Sequence, residues 1–375
     1  MTQKLVVIGN GMVPGRVIET LLNEDPTKFE VTIFNAEPRV NYNRIMLSPV
    51  LSGESTYEDI IIHSDEWYEQ NNITLLKGQR VNDIDRDAKT VTSENGQTAS
   101  YDKLLIATGS NPFIIPVPGK DLDGVLTYRD LDDVEKMLAA AGTGGHAVVI
   151  GGGLLGLEAA AGLHMRGMQV TVLHLMPTLM ERQLDAAAGY LLEKELSSRG
   201  IRVITRANTQ EILGEDGSVK GVLLEDGSEI ACDLVVMAVG IRPSISVAAA
   251  AGLGTERGVT VNGFMQTSDP DIYAVGECVQ FEEHCYGLVA PLYEQASICA
   301  KHLAGSETTA PFAHSQTATK LKVTGIDLYS AGDFAEDDNR EEIVFRDAPR
   351  GVYKRLVLED NKLVGAVLYL SLIHI

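Results

Sequence analysis

A glycine-rich segment at residues 151–158 limits the fold of this chain more than any other stretch. It follows the apolar run 147–150 and leads into an alanine-rich stretch, so we predict a strand, a tight turn and a helix. Three of its glycines have the G-x-G-x-x-G spacing, in which the first two let the backbone approach a pyrophosphate and the third lets the helix pack on the strand. The phosphates would face the free N–H groups at the helix N-terminus. The predicted nucleotide-binding residues of this turn are Gly151, Gly153, Leu154, Leu155 and Gly156.

A second strand–glycine–helix unit opens the chain. The apolar run 4–8 leads into residues 9–15, where the glycine spacing recurs except that Pro14 stands where the third small residue belongs. Proline is tolerated in a first helical turn, so the turn can still form. One such unit could be an ordinary glycine-rich turn, but two units favour an α/β protein with two Rossmann-like dinucleotide-binding domains. The predicted nucleotide-binding residues here are Gly9, Gly11, Met12 and Gly15.

The residue after the second strand of each unit bears on nucleotide choice, because an acid there binds ribose hydroxyl groups. In the first unit Glu37 fits, slightly beyond the usual ~20 residues after the first glycine, and a solvated turn residue is the alternative. In the second unit the position is occupied by His174, which is not an acid. The first arginine that follows is Arg182, so we favour NADH and leave NADPH open.

Three further apolar runs end in glycine, where the backbone can approach a ligand closely. They cover residues 104–106, 234–239 and 272–275, and the last is followed by a carboxylate that can accept hydrogen bonds from hydroxyl groups. The residues at these exits are Ala107, Thr108, Gly109, Gly240, Gly276 and Glu277. A helix is predicted over 291–303. The tail is predicted as a small α+β region, with elements at 318–323, 327–331 and 342–345 and two strands at 352–358 and 363–370.

Charge and composition exclude several classes of function. The formal net charge is −21, so nucleic acid and anionic membranes should repel the chain. The four cysteines form no C-x-x-C pair and no zinc-finger spacing, so no metal site is predicted. No signal peptide precedes the first strand, and no apolar run reads as a membrane span. We therefore expect a soluble cytoplasmic protein with neither a nucleic-acid nor a membrane partner, and a homodimer stays open.

Taken in order, these blocks closely resemble the two-dinucleotide-binding flavoprotein reductases, which are of the pyridine nucleotide-disulphide oxidoreductase type. The blocks that carry the resemblance are 9–15, 107–109, 151–158, 240–243 and 272–277. The resemblance implies that residues 1–112 and 243–310 bind FAD, that the inserted residues 113–242 bind NAD(P)H, and that 311–375 form the C-terminal region. Disulfide reductases of this class carry a cysteine pair after the first strands. No cysteine precedes Cys232 here, so that branch is not expected.

Within that class the chain looks most like the flavoprotein part of the large subunits of NAD(P)H-dependent nitrite reductases. The telling stretches are 42–48, 174–185, 276–278 and 321–333. Related ferredoxin reductases have a lysine after the Leu-Ser pair, near the flavin and the acid that matches Glu158, whereas this chain has Pro49. The resemblance implies hydride transfer from NADH to FAD. It gives Arg44 as a charge partner near the flavin and Glu158 on the nicotinamide side as candidate catalytic residues, with solvated or helix-capping roles as the alternative.

The resemblance also implies an acceptor for the electrons. The large subunits of that family continue into an iron–sulfur region and then a sirohaem region where nitrite is reduced, and neither region is present in this sequence. Residues 371–375 match nothing expected at that point, and we interpret them as a truncation or cloning artefact. Two other functions stay open: a stand-alone NADH reductase for rubredoxin or ferredoxin, and a non-enzymatic flavoprotein that senses NADH.

Overall fold

The structure is a computed structural model that describes residues 2–306, 310–314, 318–323, 326–335, 337, 339–347 and 350–371. Its α-helices are α1 (Met12–Glu24), α2 (Leu47–Ser52), α3 (Asp65–Gln70), α4 (Leu131–Gly142), α5 (Leu154–Met165), α6 (Ala186–Ser198), α7 (Ser246–Ala250) and α8 (Val289–Ala304). Short 3-10 helices lie at Arg44–Met46 and Glu58–Ile60. Its strands are β1 (Gln3–Ile8), β2 (Phe29–Asn35), β3 (Thr74–Lys77), β4 (Val81–Asp85), β5 (Thr90–Ser93), β6 (Thr98–Ser100), β7 (Lys103–Ile106), β8 (Ser110–Pro112), β9 (Val125–Thr127), β10 (His146–Ile150), β11 (Gln169–His174), β12 (Arg202–Thr205), β13 (Thr209–Glu215), β14 (Ser218–Leu224), β15 (Glu229–Ala231), β16 (Leu234–Met237), β17 (Ile241–Pro243), β18 (Val259–Val261), β19 (Ile272–Ala274), β20 (Val279–Phe281), β21 (His284–Cys285), β22 (Ala318–Val323), β23 (Ile326–Gly332), β24 (Glu341–Asp347), β25 (Val352–Glu359) and β26 (Lys362–Ser371).

The first of two compact units comprises Met1–Ile45, Tyr57–Asn111 and Ile241–Ser315. Its main sheet is parallel, with the strand order β19-β7-β1-β2-β3. Alternate residues of β1 are buried in two different clusters, one with α1 and α8 and one with α7, so the strand is apolar on both faces. Strand order reverses between β1 and β7, and α/β sheets bind ligands at the carboxyl ends of strands beside such a switch point.

The second unit comprises Met46–Thr56, Pro112–Gly240 and Gln316–Ile375. Its parallel sheet has the order β12-β11-β10-β16-β9, so the strand order reverses between β10 and β16 in the same way. Two antiparallel sheets complete this unit, with the orders β13-β14-β15 and β22-β23-β26-β25-β24. The α/β fold with two Rossmann-like sheets is confirmed.

The tail is simpler than the predicted α+β region. Its described residues from 318 to 371 form strands and turns and contain no α-helix. The reason is the alternating pattern of β25, where Tyr353, Arg355 and Val357 are buried on one face of an antiparallel sheet. Two of the stretches singled out in the sequence are only partly described. The structure leaves out residues 324–325 of the stretch 321–333 and residues 372–375 of the segment interpreted as an artefact.

No described helix combines the length and apolar content needed to cross a lipid bilayer.

Candidate nucleotide-binding site

The first glycine turn lies where β1 and β7 end. Gly9 donates its N–H to the carbonyl oxygen of Phe34 at 2.8 Å and has a φ of +108°. A Cβ atom at Gly9 would lie 2.3 Å from the carbonyl oxygen of Ala107, and that neighbour is backbone that cannot easily give way. The predicted residues Gly9 and Ala107 therefore meet at the switch point of the first sheet.

The second glycine turn repeats this geometry in the other unit. Gly151 donates its N–H to the carbonyl oxygen of Leu173 at 2.8 Å, has a φ of +126°, and would place a Cβ atom 2.2 Å from the carbonyl oxygen of Ala238. A Cβ atom at Gly156 would lie 2.0 Å from the carbonyl oxygen of Gly151, so the third glycine lets α5 pack directly on the turn. In α1 the matching position is Pro14, within the first turn, where N–H groups have no intrahelical partner.

The middle glycine of each turn leaves space for a ligand. Gly11 and Gly153 are the N-caps of α1 and α5, and a Cβ atom at either would meet none of the described residues within 4 Å. Neither helix has a side-chain cap or an acidic residue in its first turn, whereas Asp130 and Asp185 cap α4 and α6. Bare N–H groups at the positive end of a helix dipole fit the phosphates of a dinucleotide. The predicted residues that open these helices are Met12, Leu154 and Leu155.

Buried polar side chains support the first turn. Asn41 Nδ2 donates to the carbonyl oxygen of Gly11 at 2.6 Å and to that of Asn10 at 3.1 Å, and the Tyr68 hydroxyl donates to Asn10 Oδ1 at 3.0 Å. A Cβ atom at Gly15 would lie 2.8 Å from Asn41 Nδ2. Within the described residues, the buried atoms Asn10 Nδ2 and Asn41 Oδ1 have no hydrogen-bond partner. Such atoms are costly to leave unsatisfied, so the turn fits a polar ligand such as a flavin dinucleotide.

Glu37 lies just after β2 and its carboxylate is held from two sides. The Tyr42 hydroxyl donates to Oε2 at 2.7 Å, and the Arg44 guanidinium forms an ion pair with Oε1. The same guanidinium lies 5.3 Å from the centre of the Tyr42 ring. The structure thus brings the two predicted residues Glu37 and Arg44 together, as partners of each other.

The remaining exits of the first unit are linked by side-chain hydrogen bonds. Thr108 Oγ1 donates to the carbonyl oxygen of Ser244 at 2.7 Å, and Ser110 Oγ donates to Glu277 Oε2 at 2.7 Å. The Gly276 N–H donates to the buried Gln295 at 3.2 Å. Positive φ angles, which favour glycine, occur at the predicted Gly109 and Gly276 of this unit, and also at the predicted Gly240 of the second unit.

Glu158 lies on α5 of the second unit, among hydroxyl groups. Ser48 Oγ donates to Glu158 Oε2 at 2.6 Å and lies 2.9 Å from the hydroxyl oxygen of Tyr128, which is buried. Burial raises the pKa of the Glu158 carboxyl to about 7, and the Ser48 hydrogen bond opposes that shift. Sequence reasoning missed Tyr128, which carries no motif; Ser48 was visible only as part of a polar loop.

His174 ends β11, at the position where an acid was sought. Its Nδ1 accepts a hydrogen bond from the Gly152 N–H at 3.0 Å, and its Nε2 lies 3.0 Å from Glu181 Oε2. His174 therefore supports the second glycine turn through one ring nitrogen and contacts a carboxylate through the other. Glu181 was not predicted, because it lies seven residues beyond the expected position.

Comparisons with known proteins agree with this architecture. Residues 3–302 match the family model of the pyridine nucleotide-disulphide oxidoreductases, and residues 318–369 match that of the rubredoxin NAD+ reductase C-terminal domain. The chain is 50% identical to an NAD(P)H nitrite reductase of Bacillus subtilis, over 98% of this chain and 45% of that protein. It is 44% identical to an assimilatory nitrate reductase electron transfer subunit of the same organism, over 98% of this chain and 47% of that protein.

A solved structure extends the similarity to the fold. The crystal structure of a ferredoxin reductase from Rhodopseudomonas palustris superposes with a TM-score of 0.89 at 28% identity, over 98% of this chain and 91% of that one. The chain spans less than half the length of the two Bacillus subtilis relatives.

Proposed function

This chain belongs to the pyridine nucleotide-disulphide oxidoreductase family and is an NAD(P)H-dependent flavoprotein oxidoreductase, and from that premise we propose that it oxidises NADH for nitrite reduction. In this proposal the first unit binds FAD, the second binds NADH, and the electrons pass on to an acceptor. The observation that carries it is the pair of equivalent turns at Gly9 and Gly151, each followed by a helix with a bare N-terminus.

The residues of the first unit fit FAD through distinct contacts. The N–H groups that open α1 would bind its phosphates, and the unsatisfied Asn10 and Asn41 atoms would bind its polar edges. Glu37 would accept hydrogen bonds from the ribose hydroxyls, with Arg44 and Tyr42 holding its carboxylate in place. Bound FAD supplies the redox chemistry, since it accepts the hydride that NADH gives up.

The residues of the second unit position the nicotinamide nucleotide. The N–H groups that open α5 would bind its phosphates, and Gly153 leaves room for them. Glu158 would lie on the nicotinamide side, where the Ser48 hydroxyl, which also contacts the Tyr128 hydroxyl, donates to its carboxyl group and Pro49 replaces the lysine of related ferredoxin reductases. Ser48 and Tyr128 are positioning residues, because they act through Glu158.

The acceptor that we propose is the rest of a nitrite reductase large subunit, including its iron–sulfur and sirohaem regions. The support is the identity to the Bacillus subtilis nitrite reductase, most of whose length lies outside the match. The proposal includes a cytoplasmic location, where NADH is supplied, and leaves a homodimer open.

An acceptor assay tests this proposal. We expect the FAD-loaded chain to oxidise NADH with ferricyanide as the acceptor and to leave added nitrite unchanged, because the chain would contribute only the NADH-oxidising step. Nitrite consumption by this chain alone, or no NADH oxidation with any artificial acceptor, would contradict it. The rate with ferricyanide also serves as the reference for the second candidate.

A reductase for rubredoxin is the second candidate, favoured by the match of residues 318–369 to the rubredoxin NAD+ reductase C-terminal domain. Such acceptors are typically acidic, and a chain with a net charge of −21 would need a local basic surface to bind one. Reduction of added rubredoxin at a rate close to that with ferricyanide would favour this candidate over the first.

A further inference from the structure

The hydrogen bonds of His174 define which ring nitrogen carries the proton. Because the Gly152 N–H donates to Nδ1 at 3.0 Å, Nδ1 must be unprotonated, and the neutral ring then carries its proton on Nε2. Nε2 lies 3.0 Å from Glu181 Oε2, so it donates to the carboxylate. Both nitrogens of His174 are used inside the protein, and the residue is only 7% exposed. His174 is therefore not the group that meets a ribose.

Glu181 is held against the second glycine turn by two independent links. One is the His174 ring, which joins its carboxylate to the backbone of Gly152. The other is the N–H of Met180, which donates to the carbonyl oxygen of Gly152 at 3.0 Å. The packing is tight, because a Cβ atom at Gly152 would lie 2.5 Å from Leu179 Cδ2 and 2.7 Å from His174 Cγ. The Glu181 side chain nevertheless stays 32% exposed.

This arrangement places an acid against the side chain of His174, the residue that ends the second strand of this unit. In dinucleotide-binding folds the residue at the end of the second strand lies beside the ribose, and an acid there accepts hydrogen bonds from its hydroxyl groups. We propose that Glu181, positioned by His174, is the residue that selects NADH over NADPH in the second unit. This inference rests on the proposed function, because it assumes that a nicotinamide nucleotide binds at this turn.

The discrimination follows from charge. The 2′-hydroxyl of NAD+ can donate to the Glu181 carboxylate, whereas the 2′-phosphate of NADP+ carries negative charge and would be repelled by it. Two arginines are close to this segment. Arg182 directly follows Glu181 in sequence, and the backbone N–H of Arg206 donates to the carbonyl oxygen of Met176 at 3.3 Å. Both side chains are exposed, so they are the cations that would oppose this repulsion.

Equilibrium binding of oxidised nucleotides tests the proposal without turnover. Titration calorimetry would measure the Kd of NAD+ and of NADP+ for the FAD-loaded wild type, for Glu181→Gln and for Glu229→Gln, an exposed control on β15. We expect wild type to bind NAD+ at least about tenfold more tightly, and Glu181→Gln to reduce that ratio about fivefold or more. The Glu229→Gln control should keep the wild-type ratio, and added salt should reduce the ratio in wild type more than in Glu181→Gln.

The outcomes separate this inference from the proposed function. If Glu181→Gln binds both nucleotides with the wild-type ratio, or if wild type prefers NADP+, the role of Glu181 is refuted while nucleotide binding stands. If wild type binds neither nucleotide, the proposed function fails as well. A ratio that falls to the same extent in Glu229→Gln would show a general charge effect and would also refute the role of Glu181.

Discussion

At the scale of single residues, the surroundings of Glu158 differ from those of a surface carboxylate. Burial raises its pKa to about 7, and the groups that contact it are the Ser48 hydroxyl and, through Ser48, that of Tyr128. Neither hydroxyl carries a charge at neutral pH, so neither compensates the carboxylate as a lysine would. The folded protein therefore holds a proton on Glu158 over a pH range in which the unfolded chain has already released it.

The raised pKa of Glu158 should make the free energy of unfolding depend on pH. The pKa of Glu158 is raised from an ordinary 4.5, so its ionisation lowers the free energy of unfolding as pH increases through the interval from 4.5 to about 7. Glu158→Gln carries no charge at any pH. It should therefore be more stable than wild type at pH 8, by on the order of 3 kcal/mol, and close to wild type at pH 5. Thermal unfolding of the FAD-loaded proteins at the two pH values measures the difference.

The exposed Glu229→Gln variant is the control for this experiment, and its difference from wild type should be the same at pH 5 and pH 8. A Glu158→Gln effect that does not change between the two pH values would show that the Glu158 carboxyl titrates normally in the folded protein.

Residue-level prediction from sequence succeeded where the required chemistry is local. The glycines at 9, 151 and 156 were found because the spacing that marks them lies within one strand–turn–helix unit, although the backbone that Gly9 and Gly151 contact belongs to a distant part of the chain. The partners of Glu158 were not found, because Ser48 lies 110 residues away in sequence and Tyr128 lies 80 residues from Ser48. Glu181 was missed because His174 occupies the position at the end of β11 where an acid is expected, and joins Glu181 to the turn through its ring.

At the scale of elements, the two glycine turns combine two separate requirements. Gly9 and Gly151 are needed by the fold, since each has a positive φ and lies against the carbonyl oxygen of a neighbouring strand. Gly11 and Gly153 have ordinary φ angles of −79° and −84° and open space at the Cβ position, so the folded chain alone does not require them. Their lack of a side chain suits a ligand that approaches closely.

These two requirements can be separated by alanine substitutions. Gly151→Ala should lower the free energy of unfolding by about 2 kcal/mol or more, because it adds backbone strain and a clash with Ala238. Gly153→Ala should unfold near the wild-type temperature but lose at least about tenfold in affinity for NAD+, because the methyl group occupies the space of the phosphates. Thermal unfolding and calorimetry measure the two effects.

Each variant serves as the control for the other. If Gly153→Ala binds NAD+ as tightly as wild type, the prediction that the phosphates bind at this turn is wrong. If Gly151→Ala is as stable as wild type, the close contact between Gly151 and Ala238 is contradicted.

The short helix α2 packs in a unit that its position in the sequence does not predict. Residues Met46–Thr56 group with the second unit, although they lie among residues predicted to belong to the FAD domain. Leu51 packs against Gly162 of α5, where a Cβ atom would lie 2.7 Å from Leu51 Cδ2, and Arg166 donates to the carbonyl oxygen of Leu51 at 2.6 Å. These contacts join segments more than 100 residues apart, so no local pattern announces them.

At the scale of the whole molecule, the chain contains one architecture twice. Each unit has a parallel sheet whose order reverses beside a glycine turn, and in each the turn leads to a helix with a bare N-terminus. The duplication was predictable because both fingerprints are local. In the tail only the strands at 352–358 and 363–370 were predicted as strands, and the predicted α+β character was not reproduced in the described residues.

The central claim is that this chain passes a hydride from NADH to bound FAD, and anaerobic reduction of the flavin tests it most directly. The FAD-loaded chain, kept free of oxygen and of any acceptor, would be mixed with one equivalent of NADH while the absorbance of oxidised flavin is followed. We predict that this absorbance is lost in the wild type, and lost more slowly at the same NADH concentration in Gly153→Ala. A flavin that stays oxidised while calorimetry demonstrates nucleotide binding would contradict the claim.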